Sequence, residues 1–228
     1  MNAPRAAWIL AFAVAASAVG ALAQDVARET KPTPAELAKK LDAVLADLSK
    51  RLGAVKTVRS RFEQKKYLEV FDDVVTSEGT LALAVPDKLR WEYVKPVKSV
   101  LTVDGRLAQR ARTSRKGETT KKTFSLDDDP ITSITVQQVF LWTRGDFASA
   151  RDGYGLALVT EKPLVVRATP KDERVKKVVA SIDLTFSDDR AKLTGVTLVE
   201  NAKARTAISF LDVEIDAPLP EALFKIEK

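Results

Sequence analysis

Histidine and cysteine are both absent from the 228-residue chain, and methionine occurs once. These gaps exclude a Ser-His-Asp or Cys-His catalytic set, an imidazole or thiolate metal site, haem or iron–sulfur ligation, and any disulfide. Enzymatic chemistry would have to rest on carboxylates, Lys, Tyr, Ser or Thr, or on a bound cofactor. A Gly-rich phosphate loop and a G-x-S-x-G elbow are also missing. No internal stretch is rich enough in Gly, Pro or Ser to read as a linker between domains. What is present suits a globular chain: 45% hydrophobic, 30% charged, formal net charge +6, and long enough to bury a core without staples.

The one long apolar run is N-terminal. Arg5 precedes an apolar stretch from Ala6 to Val19 broken by Ser17, and Ala21-Leu22-Ala23 is an A-x-A cleavage signal. Residues 1–23 therefore read as a secretory signal peptide rather than a membrane anchor. Removing them takes away Arg5 alone among charged residues and leaves a formal charge of +5. No cysteine follows the cleavage site, so a lipid anchor there is excluded. An exported chain without cysteine fits an oxidising compartment such as a bacterial periplasm.

The expected organisation is a signal peptide (1–23), a flexible lead-in (24–33) and one domain (34–228). Thr33-Pro34-Ala35-Glu36 has the form of a capping box with Pro at the first helical position. Leu37, Leu41, Val44, Leu45, Leu48 and Leu52 then recur at helical spacing, which predicts an amphipathic helix over about 34–52 stopped at Gly53. From Val55 the period becomes two. Strands are expected at 80–85, at 89–93, at 99–103 with an Asp104-Gly105 hairpin turn, and at 107–112. The basic stretch 110–122 reads as a mobile hairpin or loop. Asp127-Asp128-Asp129 reads as a solvated turn before a short apolar helix over about 133–143, ending near Gly145. Strand-like runs follow at 154–160, 164–169, 178–186, 193–199 and 206–213. About ten consecutive strands with short turns imply an antiparallel meander that curls, with the two helices across its concave face. The fold class is α+β, mainly β.

Two basic clusters, at 110–122 and at Lys171, Arg174, Lys176 and Lys177, lack interleaved aromatics. They read as solvated loops or docking surfaces rather than a nucleic-acid site. The remaining signal is apolar. Phe62, Leu81, Leu83, Leu89, Trp91, Tyr93 and Leu101 come from successive strands, and Phe140, Leu141 and Trp142 from the middle helix. Periodicity fits a packed core and a lipid-lined cavity equally well, because both need apolar faces.

Several short motifs occur in order: Phe62-Glu63-Gln64, Gly79-Thr80-Leu81, Pro86, Leu89-Arg90-Trp91-Glu92-Tyr93, Pro96, Val103-Asp104-Gly105, Pro130 before the apolar helix, Thr206 to Phe210, and a Pro-Leu-Pro…Leu-Phe tail. The series resembles the periplasmic outer-membrane lipoprotein carriers, the LolA family. That resemblance implies an unclosed antiparallel half-barrel with a helical lid, which shields lipoprotein acyl chains and ferries them from the inner to the outer membrane. It also implies loading by an inner-membrane ATP-driven complex and delivery to an outer-membrane acceptor, with no cofactor, no metal and no covalent step. A monomer, without a membrane anchor or nucleic-acid partner, is expected. Two alternatives stand beside this: a same-fold carrier or sensor of another envelope lipid or glycolipid, and, more distantly, a carboxylate-dependent hydrolase. One departure is visible. Val85 stands where the family's usual pattern has an Arg that helps hold the lid closed, and Arg90 should face away from Trp91.

Overall fold

The computed structural model describes residues 33–68, 71–114, 116–200 and 204–226. The expected signal peptide and all but Thr33 of the lead-in lie outside these residues. Helix α1 (Pro34–Leu52) forms as its capping box predicts. Thr33 Oγ1 accepts the Glu36 backbone N–H at 3.2 Å, and Glu36 returns an oxygen to the Thr33 N–H at 2.7 Å. Val44, Leu45, Leu48 and Leu52 are buried, while Leu37 in the first turn stays exposed.

Eleven strands follow in one antiparallel sheet: β1 (Thr57–Leu68), β2 (Phe71–Ala84), β3 (Lys88–Lys95), β4 (Ser99–Asp104), β5 (Leu107–Thr113), β6 (Thr119–Ser125), β7 (Tyr154–Glu161), β8 (Leu164–Pro170), β9 (Ser181–Phe186), β10 (Leu193–Val199) and β11 (Arg205–Ile215). The spatial order is β6-β5-β4-β3-β2-β1-β11-β10-β9-β8-β7. Two meanders are thus stitched by β1 against β11, and β6 and β7, consecutive in the chain, lie at opposite open edges. The connection between them is helical: α2 (Pro130–Thr143) and α3 (Phe147–Gly153), with the one-turn helix α4 (Glu173–Lys176) further on between β8 and β9.

Several expectations are refined. The middle helix starts earlier than its apolar spacing indicated, at Pro130. Asp129 caps it, its side chain accepting the Thr132 N–H at 3.1 Å. The segment 110–122, expected as a mobile hairpin or loop, is a hairpin in which β5 and β6 pair on either side of a turn, which makes the eleventh strand. Val178 belongs to the turn after α4 and is 67% exposed, so β9 begins only at Ser181.

The sheet has two unlike faces. On one, cross-strand ion pairs join Arg59 to Glu214, Arg61 to Asp212 and Lys88 to Asp104. The other is apolar and carries the helices. α1 packs with Trp142, Phe147, Leu164, Val166, Leu184 and Phe186 over β8 and β9. α2 packs through Val136 and Phe140 on Val58, Phe62, Leu81, Leu83, Leu89, Val103 and Ala108 of β1–β5. Gly145, at φ +61°, turns the chain from α2 into α3 beside Leu52, and its carbonyl accepts from Ser49 Oγ at 2.6 Å.

Candidate functional site

Between α2 and the concave face lies an apolar cavity of about 320 Å³, at the lower end of the ~300–1,000 Å³ typical of small-molecule pockets. Leu81 and Trp91 form its wall on one half of the sheet. Ile182, Leu193, Val196, Leu198, Ile208 and Phe210 form the wall on the other half, and α2 closes it with Ile134, Val139 and Trp142. Thr135, Gln138, Thr143 and Tyr154 supply the polar atoms. Gln138 Oε1 accepts the Tyr154 hydroxyl at 3.1 Å, and burial pushes the Tyr154 phenol up.

Of the ten residues expected to line a cavity, Leu81, Trp91 and Trp142 do so. Phe140 and Leu141 lie on α2 beside a separate surface groove with Pro86 and Arg144. Phe62, Leu83 and Leu89 are buried in the packing beneath, at 2%, 0% and 1% exposure. Tyr93 and Leu101 are half-buried against the same cluster. The missed wall comes from β9–β11. Its signal was present as alternating apolar residues, but their adjacency to Leu81 depends on β1 pairing with β11, where Phe62 stands opposite Phe210.

The ordered motifs acquire a physical reading. Phe62 and Gln64 share a face of β1. The Phe62 ring meets Trp91 edge-on at 5.4 Å and Tyr93 at 5.1 Å between centroids. Gln64 Oε1 accepts the Tyr93 hydroxyl at 2.9 Å. Burial pushes the Tyr93 phenol up, and the neighbouring Trp91 side chain offsets part of that rise. Gly79, opposite Phe62 and Tyr93, leaves room for the ring. Arg90 is on the other face, donating to Glu92 at 2.9 Å, as the alternation predicts.

The N-terminus of α2 is tied to the sheet. Arg110 on β5 donates to Thr132 Oγ1 at 2.7 Å and lies 3.8 Å from the Asp129 carboxylate. Hydrogen bonds from the Thr132 backbone N–H and hydroxyl hold the Asp129 carboxyl below its ordinary value. Among the described residues no cluster of acids could hold a metal ion, and no helix is long and apolar enough to cross a membrane.

The chain is similar to several known proteins. The family described as outer membrane lipoprotein carrier protein LolA matches residues 53–227. An outer-membrane lipoprotein carrier protein of Pseudoalteromonas translucida (strain TAC 125) is 22% identical over 179 residues, 78% of this chain and 80% of that protein. One from Coxiella burnetii (strain RSA 331 / Henzerling II) is 24% identical over 187 residues, 79% of this chain and 81% of the other. Among solved structures, a LolA superfamily protein from Nitrosomonas europaea superposes with TM-score 0.39 at 11% identity, covering 82% of this chain and 97% of that one. The Pseudomonas aeruginosa MucA/MucB complex gives TM-score 0.45 at 13% identity, covering 82% of this chain but only 61% of the other. With the family's pattern matched over most of its length and an unclosed sheet under helices, the chain belongs to the LolA family of outer membrane lipoprotein carrier proteins.

Proposed function

We propose that the protein is a periplasmic carrier that holds the acyl chains of a lipoprotein against its concave face and moves it from the inner to the outer membrane. The observation that carries this reading is the cavity between α2 and the sheet, walled by apolar residues from both halves. Each buried methylene is worth ~0.8 kcal/mol, so acyl chains cross water only when shielded. The cavity is small for a cargo with several chains, so loading displaces α2. Ile131, 81% exposed on that helix, supplies further apolar surface for the loaded state, and Ile134 of the cavity wall is itself 59% exposed. Transport of this kind needs no covalent step and no cofactor. An inner-membrane ATP-driven complex would load the carrier, and an outer-membrane acceptor would empty it.

A second reading is a carrier of another envelope lipid. Val85, in the position where the family resemblance leads one to expect Arg, favours it, because the lid here is held from a different place, through Arg110. Mass spectrometry of lipid co-purified with the protein from periplasm separates the two. Triacylated peptide supports the first reading, free lipid or glycolipid supports the second, and protein that never carries lipid overturns both.

A further inference from the structure

The concave face does not remain apolar to its edge. Cross-strand register places Leu81, Trp91, Leu101, Arg110 and Lys122 in one row over β2–β6. The adjoining row on the same face runs through Tyr93, Ser99, Arg112 and Thr120. Strand spacing of ~4.8 Å puts Arg110 about 10 Å from Trp91 across the sheet. Arg110, Arg112 and Lys122 border one open groove of about 730 Å³, together with Val97, Ser114 and Thr120. Groove and cavity flank the start of α2, since Arg110 bonds Thr132 and Thr135, one turn on, lines the cavity.

Only Arg110 of these cations has a carboxylate partner among the described residues. Arg110 reaches Thr132, stands 3.8 Å from Asp129 and lies over the Phe124 ring. Among the described residues, Arg112 and Lys122 form no ion pair, although the Lys122 charge acts at longer range on Asp129. Arg110 and Lys122 stand directly opposite each other, a like-charge cross-strand pair that lowers stability. A bound anion would remove that repulsion.

We propose that this cationic row is a subsite for the phosphate group of an anionic lipid whose acyl chain occupies the adjoining cavity. The inference rests on the acyl-binding reading of that cavity and adds a second class of cargo to it. Guanidinium presents a planar fork to phosphate oxygens, and the Lys122 ammonium adds a point charge. An amphiphile laid across the face then has its chain beside Trp91 and its head at the sheet edge.

The test compares two ligands with the same chain, dodecyl phosphate and dodecyl maltoside. Each is titrated calorimetrically below its micelle threshold, at low ionic strength. N-phenylnaphthylamine fluorescence reports the apolar cavity separately. The expected result is about a tenfold preference for the phosphate, equivalent to ~1.4 kcal/mol. The preference should vanish in Arg112→Gln/Lys122→Gln and persist in Lys50→Gln, with fluorophore binding equal in all three. Equal affinities in the unaltered protein, or a preference that survives the double substitution, overturn the proposal. If the inward charges only protect the edge strand, the double variant self-associates and its ligand ranking stays unchanged. Inorganic phosphate that binds as tightly as dodecyl phosphate also overturns the lipid assignment, in favour of a free-anion site. Failure of the fluorophore to bind the unaltered protein overturns the acyl-cavity reading instead, independently of how the two dodecyl ligands rank.

Discussion

Replacing Gly79 with Ala tests the aromatic packing on the concave face. A Cβ at this position would lie 2.0 Å from the Glu92 carbonyl oxygen and 2.5 and 2.7 Å from Cζ and Cε1 of Phe62. Two effects oppose each other. Alanine restricts the unfolded chain, which alone would stabilise the fold by ~0.4–1 kcal/mol. Overpacking costs ~1–3 kcal/mol, and the upper end applies because a backbone carbonyl in a ladder cannot rotate aside. The net expectation is a loss of ~2 kcal/mol, or a fall in Tm of ~4–8 °C for a domain of this size. Urea unfolding should show a lower midpoint with an unchanged slope. In a Phe62→Leu background the ring contacts are gone but the carbonyl contact remains. The penalty for Gly79→Ala should then shrink by ~1 kcal/mol without disappearing. A neutral or stabilised Gly79→Ala variant would refute the reasoning, and a penalty indifferent to Phe62 would refute the ring's part in it.

Three further outcomes separate packing, lid and electrostatics. Leu83→Ala should cost ~2–5 kcal/mol and leave fluorophore affinity of the folded fraction unchanged, whereas Trp91→Ala should weaken affinity more than stability; paired binding and unfolding measurements decide. Arg110→Ala should speed hydrogen exchange of amides in the first turns of α2 while lowering global stability by under ~1 kcal/mol; unchanged exchange there would mean that the tie does not restrain the helix. Asp172 should titrate at about 2, held down chiefly by the hydrogen bond from the Arg174 side chain. Because its folded value is depressed, its contribution to stability is present above the ordinary 3.8 and is lost as pH falls towards 2. Carboxyl NMR on the protein and on Arg174→Ala, where the value should rise, checks this.

Much of the fold was legible because local chemistry specified it. Thr33 and Glu36 mark the start of α1 unambiguously, and Asp104-Gly105 marks a hairpin whose Gly105 adopts φ +63°. β6 was not legible. Thr119–Ser125 carries a single apolar side chain, Phe124, so its alternation gives too little hydrophobic signal to define a strand. The outer part of β2 was hidden for a related reason, since Thr76, Ser77, Glu78 and Thr80 are polar and the inward Gly79 has no side chain to signal its place in the core. The site was half legible. The Trp91 and Trp142 walls come from the conspicuous aromatic segments, but the wall from β9–β11 depends on a pairing between the first and last strands. Nor could alternation distinguish Leu83, sealed beneath α2, from Leu81, two residues away and open to the cavity. Which inward residue meets empty space depends on where the helix rests.

The route from β6 to β7 has a mechanical consequence. The sheet is an arc whose two free edges are joined, through α2 and α3, by a chord. A helix that closes a cavity from one side could swing away on a hinge. A segment strung between both edges is held at two ends: on the acyl-carrier reading proposed above, moving α2 to admit cargo would pull on β6 and β7 together, so both edge strands would take part in loading.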